Sequence, residues 1–358
     1  MKTTKIFALG CMLMAMFAEN EVMAQKPKVL PDHSVQFSIR APQANRVQID
    51  LGKQYDLTKG ENGVWTCTTE PQSEGFHYYF LIVDGVKTPD PASEPFYGCS
   101  SMASGIEIPY PEGDNRFYQQ DVARGTVAQK RYFSTTENGW RRMFVYLPPQ
   151  YFTSKESFPV LYLMHGGGED ETGWVNQGRT DIILDNLIAQ GKAKPMIIAM
   201  LDGNTRDFQS ELIKDCIPFV EKNFRVKANA ENRGLAGLSM GGIQTLNTVV
   251  PNPELFGYVG IFSSGWFASA NPMGASMGGD TEKMYKMLAD RKDFYNKQFK
   301  ELFLTMGGET DIAYNNCKVM RGRFDQIGIK YSYFDTPGGH TWPVWRESLY
   351  QFAQKLFK

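Results

Sequence analysis

The chain has 358 residues, with 38 Lys and Arg against 39 Asp and Glu, so its formal net charge is -1. This balance argues against a nucleic-acid-binding protein, because phosphate contacts need a surplus of basic residues. With 42% hydrophobic and 22% charged residues, the composition is that of a folded globular protein, and the length predicts two domains.

The first 24 residues have the pattern of a secretory signal peptide. Lys2 and Lys5 precede an apolar run from residue 6 to residue 17, and Ala24 ends a short segment suited to cleavage. The apolar run is too short for a permanent membrane anchor. We therefore expect an exported protein, periplasmic or secreted, with a lipid anchor at the cell surface as the alternative.

Cleavage after Ala24 would leave four cysteines at scattered positions, Cys67, Cys99, Cys216 and Cys317. None of them forms a C-x-x-C motif, and the chain has no H-E-x-x-H motif, so we predict neither a metal site nor a cofactor. An exported protein can form disulfides. The spacing leaves open whether Cys67 and Cys99 pair or remain buried thiols.

The segment 26–120 has the pattern of antiparallel strands. Val35, Phe37 and Ile39 alternate with polar residues, and Asp84-Gly85 is suited to a tight hairpin turn. Several short strands without intervening helices predict an all-β sandwich.

Three stretches of this segment, SIRAPQANRVQIDL, GVWTCT and FHYYFLIVDGVKTPDPAS, resemble an early-set, immunoglobulin-like module of the glycogen-binding type. Such modules accompany many carbohydrate-active enzymes. In sugar-binding members exposed aromatic side chains stack on sugar rings, which makes Trp65, Tyr78 and Tyr79 candidates here. The alternative is that these rings fill the sandwich core, the usual place for aromatic residues of strands.

From Arg131 to Lys358 short apolar runs alternate with helical patterns, and residues 121–130 are the expected linker. Val160–Met164 and Met196–Met200 have the composition of fully buried strands, with a helical pattern between them. This alternation predicts an α/β domain with a mostly parallel sheet and helices on both faces. The composition of segment 268–280, rich in Gly, Met and Ser, suggests a mobile flap.

The sequence Gly237-Leu238-Ser239-Met240-Gly241 is a G-x-S-x-G motif between a predicted strand and a predicted helix. A turn of this kind exposes the serine hydroxyl at the edge of a sheet. The helix N-terminus adds partial positive charge where negative charge develops during acyl transfer. Ser239 is therefore the predicted nucleophile.

A serine hydroxyl needs a positioned base, and in proteins with this motif the acid and then the histidine follow the serine in the chain. Of the four histidines only His340 follows Ser239. The acid that orients it should follow the strand near residues 302–306, where Asp311 and Glu309 both qualify. We favour Asp311 over Glu309, and Asp335 is a weaker candidate.

The oxyanion hole requires backbone N–H donors beside the nucleophile. We expect one from Met240 and another from Gly166 or Gly167, which follow a buried strand. His165 is expected to brace this loop rather than to react. Three tryptophans follow site segments and could line a substrate cleft, with ordinary packing as the alternative: Trp174, Trp266 and Trp342.

The segments MHGGGEDETGW, RGLAGLSMGG, GGETD and GGHTWPVW together resemble carbohydrate esterase family 1, an esterase-D-like branch of the α/β-hydrolases. The resemblance covers nearly all of residues 125–358, identifies 131–358 as an esterase domain, and implies Ser239, Asp311 and His340 as the triad. The family includes feruloyl esterases and acetyl xylan esterases.

The leading hypothesis is an exported serine esterase that removes acyl groups, ferulate or related hydroxycinnamates, from polysaccharide such as arabinoxylan. An acetyl xylan esterase is the nearest alternative, and an acyltransferase or a non-catalytic glycan-binding protein are alternatives of other classes. A cytosolic S-formylglutathione hydrolase shares the fold, but the signal peptide and the β-module argue against it. The expected partner is an acylated glycan, with no nucleic acid and no transmembrane segment.

Overall fold

The structure is a computed structural model that describes residues 23–267 and 279–358. The predicted signal peptide and the predicted flap therefore lie almost entirely outside the described residues. The chain divides into two compact units, the first ending at Pro111 and the second comprising Glu112–Lys358.

The first unit consists of short strands in two antiparallel sheets. Its strands are β1 (Met23–Ala24), β2 (Lys28–Val29), β3 (Val35–Arg40), β4 (Val47–Asp50), β5 (Gln54–Asp56), β6 (Thr58–Lys59), β7 (Val64–Thr68), β8 (Gly75–Val83), β9 (Val86–Thr88), β10 (Pro95–Gly98) and β11 (Ser101–Ile108). One sheet has the order β1-β3-β7-β6 with β2 beside β3, and the other has the order β10-β11-β8-β4-β5 with β9 beside β8.

Residues of both sheets share one hydrophobic core, so the first unit is a β-sandwich. Phe37 of β3 and Tyr79 of β8 come from different sheets, and both are fully buried with ring centroids 5.2 Å apart. Trp65 is buried too, and its indole N–H donates to the Ala41 carbonyl at 2.9 Å. Trp65 and Tyr79 therefore fill the sandwich core, which was the predicted alternative to stacking on sugar rings.

The four cysteines lie in both units. Cys216 and Cys317 are buried, and among the described residues Cys67 and Cys99 form no disulfide bond. Burial raises the pKa of the Cys67 thiol to about 11 and that of Cys317 to about 12. These thiols are therefore protonated at neutral pH and are poor nucleophiles.

The division between the units lies earlier in the chain than the predicted boundary at residue 120, and half of the expected linker is a strand. Residues 126–130 begin the strand Thr126–Ser134, which pairs with Gly139–Leu147 along its whole length. This strand was not predicted from the sequence. It is the edge strand of its sheet, and its exposed side chains are mostly polar, like those of a linker.

The second unit contains eight strands of one sheet: β12 (Thr126–Ser134), β13 (Gly139–Leu147), β14 (Val160–Met164), β15 (Ile197–Leu201), β16 (Arg233–Leu238), β17 (Tyr258–Phe262), β18 (Glu301–Met306) and β19 (Ser332–Asp335). Their order is β12-β13-β15-β14-β16-β17-β18-β19. The pairs β12-β13 and β13-β15 are antiparallel and all later pairs are parallel.

Helices separate most of these strands. They are α1 (Gln150–Thr153), α2 (Gly173–Asn176), α3 (Thr180–Ala189), α4 (Phe208–Ser210, a π-helical stretch Glu211–Cys216, and Ile217–Asn223), α5 (Met240–Val249), α6 (Thr281–Asp290), α7 (Lys292–Gln298), α8 (Tyr314–Ile327) and α9 (Trp342–Ala353). The wider π-helical turn ends at Cys216, two residues before Pro218, which cannot donate the backbone hydrogen bond of a regular helix.

Side-chain alternation along the central strands shows that helices cover both faces of the sheet. Val259 and Ile261 of β17 share a core with Ile243 and Leu246 of α5. The next residue, Phe262, points to the opposite face and packs on Phe352 of α9, with ring centroids 5.6 Å apart. Every residue of β14, β15 and β17 is buried, as expected for strands covered on both sides.

We call the end of this sheet at which the parallel strands terminate its carboxyl edge. Loops leave β14, β15, β16, β17 and β18 at this edge, so side chains from distant parts of the sequence can meet there. Within the described ranges, no helix is both long and apolar enough to cross a membrane.

Candidate active site

Ser239 occupies the turn between β16 and α5 at the carboxyl edge. Its backbone angles, φ 50° and ψ -117°, are strained for a residue with a side chain. The turn closes only because Gly237 and Gly241 lack side chains, since a Cβ on Gly237 would lie 2.4 Å from the Gly241 backbone. A Cβ on Gly241 would lie 2.5 Å from the His165 carbonyl oxygen. The packing thus holds the serine in its strained conformation.

His340 lies between Ser239 and Asp311. Its Nε2 is 2.8 Å from the Ser239 Oγ, and its Nδ1 is 2.8 Å from Oδ1 of Asp311. The imidazole is 17% exposed, whereas the carboxyl group is fully buried. The ring also packs edge-on against Trp345, with centroids 5.2 Å apart. The structure therefore brings together the three side chains of the predicted triad.

A backbone hydrogen bond joins the loops that carry the histidine and the acid. Gly308 N–H donates to the Gly338 carbonyl at 2.7 Å. A Cβ on Gly307 would lie 2.8 Å from the same carbonyl oxygen and 3.0 Å from Oδ2 of Asp311, so this approach requires a glycine. The two loops are thus fixed to each other beside the imidazole.

Asp311 is the better placed of the candidate acids. Glu309 and Asp335 are both exposed, and neither is hydrogen-bonded to the imidazole of His340. Burial alone would raise the pKa of the Asp311 carboxyl. The hydrogen bonds from His340 and from the Ala313 N–H, the latter 2.9 Å long, outweigh burial and hold that pKa below its usual range. An ionised carboxylate at this position accepts the Nδ1–H of His340 and so fixes the orientation of the ring.

Ser263 is a residue of this cluster that the sequence did not single out. It follows β17 directly, is fully buried and has a positive φ of 44°. Its hydroxyl faces Asp311 and contributes to the lowered pKa of that carboxyl, without forming a hydrogen bond of standard geometry among the described residues. Its position at the end of the strand next to the Ser239 strand is the signal that could have found it.

The backbone beside the nucleophile fits the predicted oxyanion donors. Gly166 lies against Ser239, because a Cβ added to it would be 3.3 Å from the serine Cβ. Gly167 lies opposite Met240 and is exposed, whereas the Gly166 N–H faces Oε2 of Glu169 at 3.5 Å. The N–H groups of Gly167 and Met240 are therefore the better candidates for stabilising an oxyanion.

His165 braces this loop. Its Nδ1–H donates to the Gly166 carbonyl at 2.7 Å, and its Nε2 accepts from the Gly203 N–H at 2.9 Å. The ring is fully buried. The two bonds tie the loop after β14 to the loop after β15, which agrees with the structural role predicted for this histidine.

The three tryptophans that were predicted to line a cleft are each only 1% exposed. Trp174 packs edge-on against Trp342, with ring centroids 5.3 Å apart, and Trp266 packs in the same way against Tyr285 at 5.0 Å. The structure thus places Trp174, Trp266 and Trp342 in the hydrophobic interior, and the prediction that they contact substrate is corrected. Large aromatic rings near the carboxyl edge bury more apolar area under the helices than in a cleft.

A cleft of about 470 Å³ does begin beside the nucleophile, at Met240. It lies between α5 and the loop after β15, and its lining is mostly polar. Gln244, one helical turn beyond Met240, spans the two elements by donating to the Gly203 carbonyl at 2.8 Å. These cleft residues were not predicted from the sequence, although the spacing of four from Met240 puts Gln244 on the same face of the helix.

In the described ranges, no three His, Cys, Asp or Glu side chains are clustered so that they could hold a metal ion. The arrangement at Ser239 can instead perform nucleophilic chemistry with protein groups alone.

The chain is similar in sequence to one protein family and to several known proteins. The family described as "Putative esterase" matches residues 134–211 and 199–356. A protein of Xylanibacter ruminicola named endo-1,4-beta-xylanase/feruloyl esterase is 35% identical over 362 residues, covering 95% of this chain and 47% of the relative. A Mycobacterium tuberculosis protein, esterase Rv1288, is 29% identical over 61% of this chain and 56% of its own length. The chain thus spans about half the length of these curated relatives.

Solved structures show the same fold. A CE1 ferulic acid esterase of Anaeromyces mucronatus matches with a TM-score of 0.59 and 24% identity, covering 68% of this chain and 95% of that one. An enterobactin esterase of Shigella flexneri matches with a TM-score of 0.67 and 15% identity over 95% of this chain and 97% of that one. These similarities confirm the predicted α/β-hydrolase fold preceded by an all-β unit. The family match covers more than half of the chain, which therefore belongs to the putative esterase family.

Proposed function

We propose that this protein is a serine carboxylic-ester hydrolase that works through an acyl-enzyme formed on Ser239. The single observation that carries the proposal is the continuous hydrogen-bonded path from the Ser239 Oγ through His340 to Asp311, with both contacts 2.8 Å long. Membership of an esterase family supports the same class of reaction.

The geometry supports a defined role for each group. His340 Nε2 accepts the proton of the Ser239 hydroxyl as its oxygen attacks the ester carbonyl. Asp311 keeps the imidazole in the correct tautomer and stabilises the imidazolium that forms. The imidazolium then protonates the departing alcohol.

The N–H groups of Met240 and Gly167 stabilise the negative oxygen of the tetrahedral intermediate. A water molecule, activated by the same imidazole, then cleaves the acyl-enzyme. The carboxylic acid leaves and the serine is regenerated, so the cycle needs only ester and water.

For the substrate we propose an acylated plant polysaccharide, with ferulate esters of arabinoxylan first. The support is the relative named as a xylanase and feruloyl esterase, at 35% identity over 95% of this chain. The signal-peptide pattern in the first 24 residues supports export, which would bring the enzyme to an insoluble polymer.

The test compares Ser239→Ala with the wild type on methyl ferulate and on feruloylated arabinoxylan. We expect kcat to fall about 10⁴-fold or more on both substrates, because no other group replaces the nucleophile. Ser154→Ala, a serine at the opposite edge of the sheet, is the matched control and should retain wild-type rates. Wild-type turnover in Ser239→Ala would refute the proposal. Faster release of acetate from acetylated xylan than of ferulate from arabinoxylan would instead identify acetyl as the preferred acyl group.

A further inference from the structure

The hairpin of β12 and β13 carries two exposed aromatic side chains. Phe133 is 48% exposed and Trp140 is 73% exposed. They are direct cross-strand partners, and their rings are nearly perpendicular, with an interplanar angle of 84° and centroids 5.8 Å apart. One ring therefore supports the other, and the indole of Trp140 offers the larger free surface.

The two rings lie outside the buried core of the second unit. Their neighbours Tyr132 and Ser134 point inward and are buried, where both hydroxyls donate to the carboxylate of Glu211. Phe133 and Trp140 face the other way, where Phe133 is about half exposed and Trp140 is mostly exposed. An exposed pair of large aromatic rings is a common mark of a surface that binds a ligand.

The strand register puts this pair at the same edge of the sheet as the nucleophile. Met143, Leu201, Met164 and Gly237 form one row across β13, β15, β14 and β16. Trp140 lies beyond this row on the side where β15 and β16 end. Arg141, next to it, confirms the placement by donating to the carbonyls of Asp202 and Asn204 at 2.7 and 3.1 Å.

The register also gives the scale of the separation. Ser239 lies just beyond Gly237 at the end of the row, three strands away from β13. Neighbouring strands are about 4.8 Å apart, so the two backbones are separated laterally by about 14 Å. A substrate that extends a few sugar rings from its ester bond can span this distance.

Polar surface extends along this edge from the nucleophile to the hairpin turn that directly follows Phe133. The cleft that begins at Met240 is lined by Asn204, Thr205 and Arg206. A second hollow of about 450 Å³ shares Arg206 with it and reaches Thr135 and Thr136 in the hairpin turn. Hydroxyl, amide and guanidinium groups of this kind suit the hydroxyls of a glycan better than an apolar partner.

The size of the aromatic pair suits a single sugar ring. Two aromatic side chains can bury at most about 500 Å², whereas a stable protein interface needs about 800 Å² from each protein and would have to extend well beyond the pair. A single sugar ring has one face of C–H groups that covers an indole. The area and the polar surroundings therefore both favour a carbohydrate.

We propose that Phe133 and Trp140 form a stacking platform for a sugar ring of the polysaccharide chain, remote from the ester bond that Ser239 attacks. The inference rests on the proposed function, since it assigns a place to the glycan part of that substrate. It predicts that the platform contributes to binding of polymeric esters and has no part in the chemical step.

The experiment measures kcat and KM of Trp140→Ala and of Phe133→Ala on feruloylated arabinoxylan and on methyl ferulate. We expect KM for the polysaccharide ester to rise about three- to tenfold, the effect of losing one aromatic contact. The values for methyl ferulate, which has no glycan, should stay within about twofold of wild type. Trp140→Phe keeps an aromatic ring and should restore most of the binding.

Phe152→Ala is the matched control, because Phe152 is 62% exposed but lies in α1, which follows the other end of β13. This variant should leave kcat and KM unchanged on both substrates. Unchanged KM for the polysaccharide ester in Trp140→Ala would overturn the platform, and so would an equal loss on both substrates. Failure of the proposed function would be distinct, because then neither wild type nor variants would cleave methyl ferulate.

Oligosaccharide binding can also be measured without turnover, by tryptophan fluorescence. Xylohexaose added to Ser239→Ala should shift the tryptophan fluorescence, and the shift should be lost in the double variant Ser239→Ala/Trp140→Phe. Equal shifts in both proteins would assign the signal to another tryptophan and overturn the proposal.

Discussion

Asp90 in the first unit and Asp311 in the second are both buried carboxylates, 1% and 3% exposed, yet their partners differ. Asp90 accepts hydrogen bonds from the Tyr79 hydroxyl and the Ala92 N–H, both at 2.8 Å. Asp311 accepts from the Ala313 N–H and from His340, whose other nitrogen contacts Ser239.

The difference shows what separates a structural carboxylate from one placed for chemistry. Burial raises the pKa of the Tyr79 hydroxyl, so this partner keeps its proton and holds the carboxylate in place. An imidazole can gain and lose a proton near neutral pH, so a carboxylate beside it can assist proton transfer. Three substitutions of buried or exposed carboxylates test this difference.

The largest effect is expected for Asp311→Asn. The amide cannot stabilise an imidazolium and can hold the wrong tautomer of His340, so kcat on methyl ferulate should fall about 10³- to 10⁴-fold. Glu309→Gln is the matched control on the same loop and should remain within about twofold of wild type. If Glu309→Gln showed the large loss of kcat instead, Glu309 and not Asp311 would be the acid that orients His340.

An intermediate effect, on stability, is expected for Asp215→Asn in the second unit. Asp215 accepts four hydrogen bonds from the backbone and hydroxyl groups of Thr135 and Thr136, between 2.7 and 3.1 Å long. Burial raises its pKa, but these donors outweigh burial and lower it. Removing the charge should cost about 1–3 kcal/mol of unfolding free energy at pH 7.

The pH dependence of that loss follows from the sign of the shift. A lowered pKa in the folded state means that the carboxylate stabilises the fold at pH values above about 3.9, the unfolded value. The stabilisation disappears as pH falls through the lower folded value. Urea unfolding at pH 7 and at pH 3 should therefore show a smaller gap between wild type and Asp215→Asn at pH 3. Asp290→Asn, an exposed partner of Lys286, should show almost no gap at either pH.

The smallest effect on catalysis is expected for Asp90→Asn. The substitution weakens the bond to Tyr79 in the sandwich core, so amide hydrogen exchange should become faster in β8 and β11. Because the triad lies wholly in the second unit, kcat on methyl ferulate should not change. A loss of kcat comparable to that of Asp311→Asn would show that the first unit takes part in the chemistry and would end the comparison.

The local patterns predicted the architecture well. Alternation of apolar residues predicted the all-β unit, and buried strands alternating with helices predicted the α/β unit, because both patterns report which faces meet a core. The strand Thr126–Ser134 was missed because an edge strand with one exposed face resembles a linker in composition. The division of the chain at Pro111 depends on contacts, which composition does not report.

Predictions for individual aromatic residues also depended on contacts that the sequence does not report. Trp174, Trp266 and Trp342 lie near site segments in the sequence, but packing decided that they are buried. The exposed pair of Phe133 and Trp140 was not predicted from the sequence, because two residues of different strands become neighbours only when the strands pair. Exposure of a ring is a property of everything around it, and no short segment determines it.

The sequence by itself determined the chemistry that is available. A serine in a strand–turn–helix motif, a single later histidine and an acid after a further strand limit the mechanism to a few residues, because chain order and residue type suffice for that inference. The tertiary structure decided the choice between Asp311 and Glu309, the approach of Ser263 and the place of every tryptophan. These depend on distances between segments separated by dozens of residues, and such distances are fixed only when the strands pair and the helices pack on them.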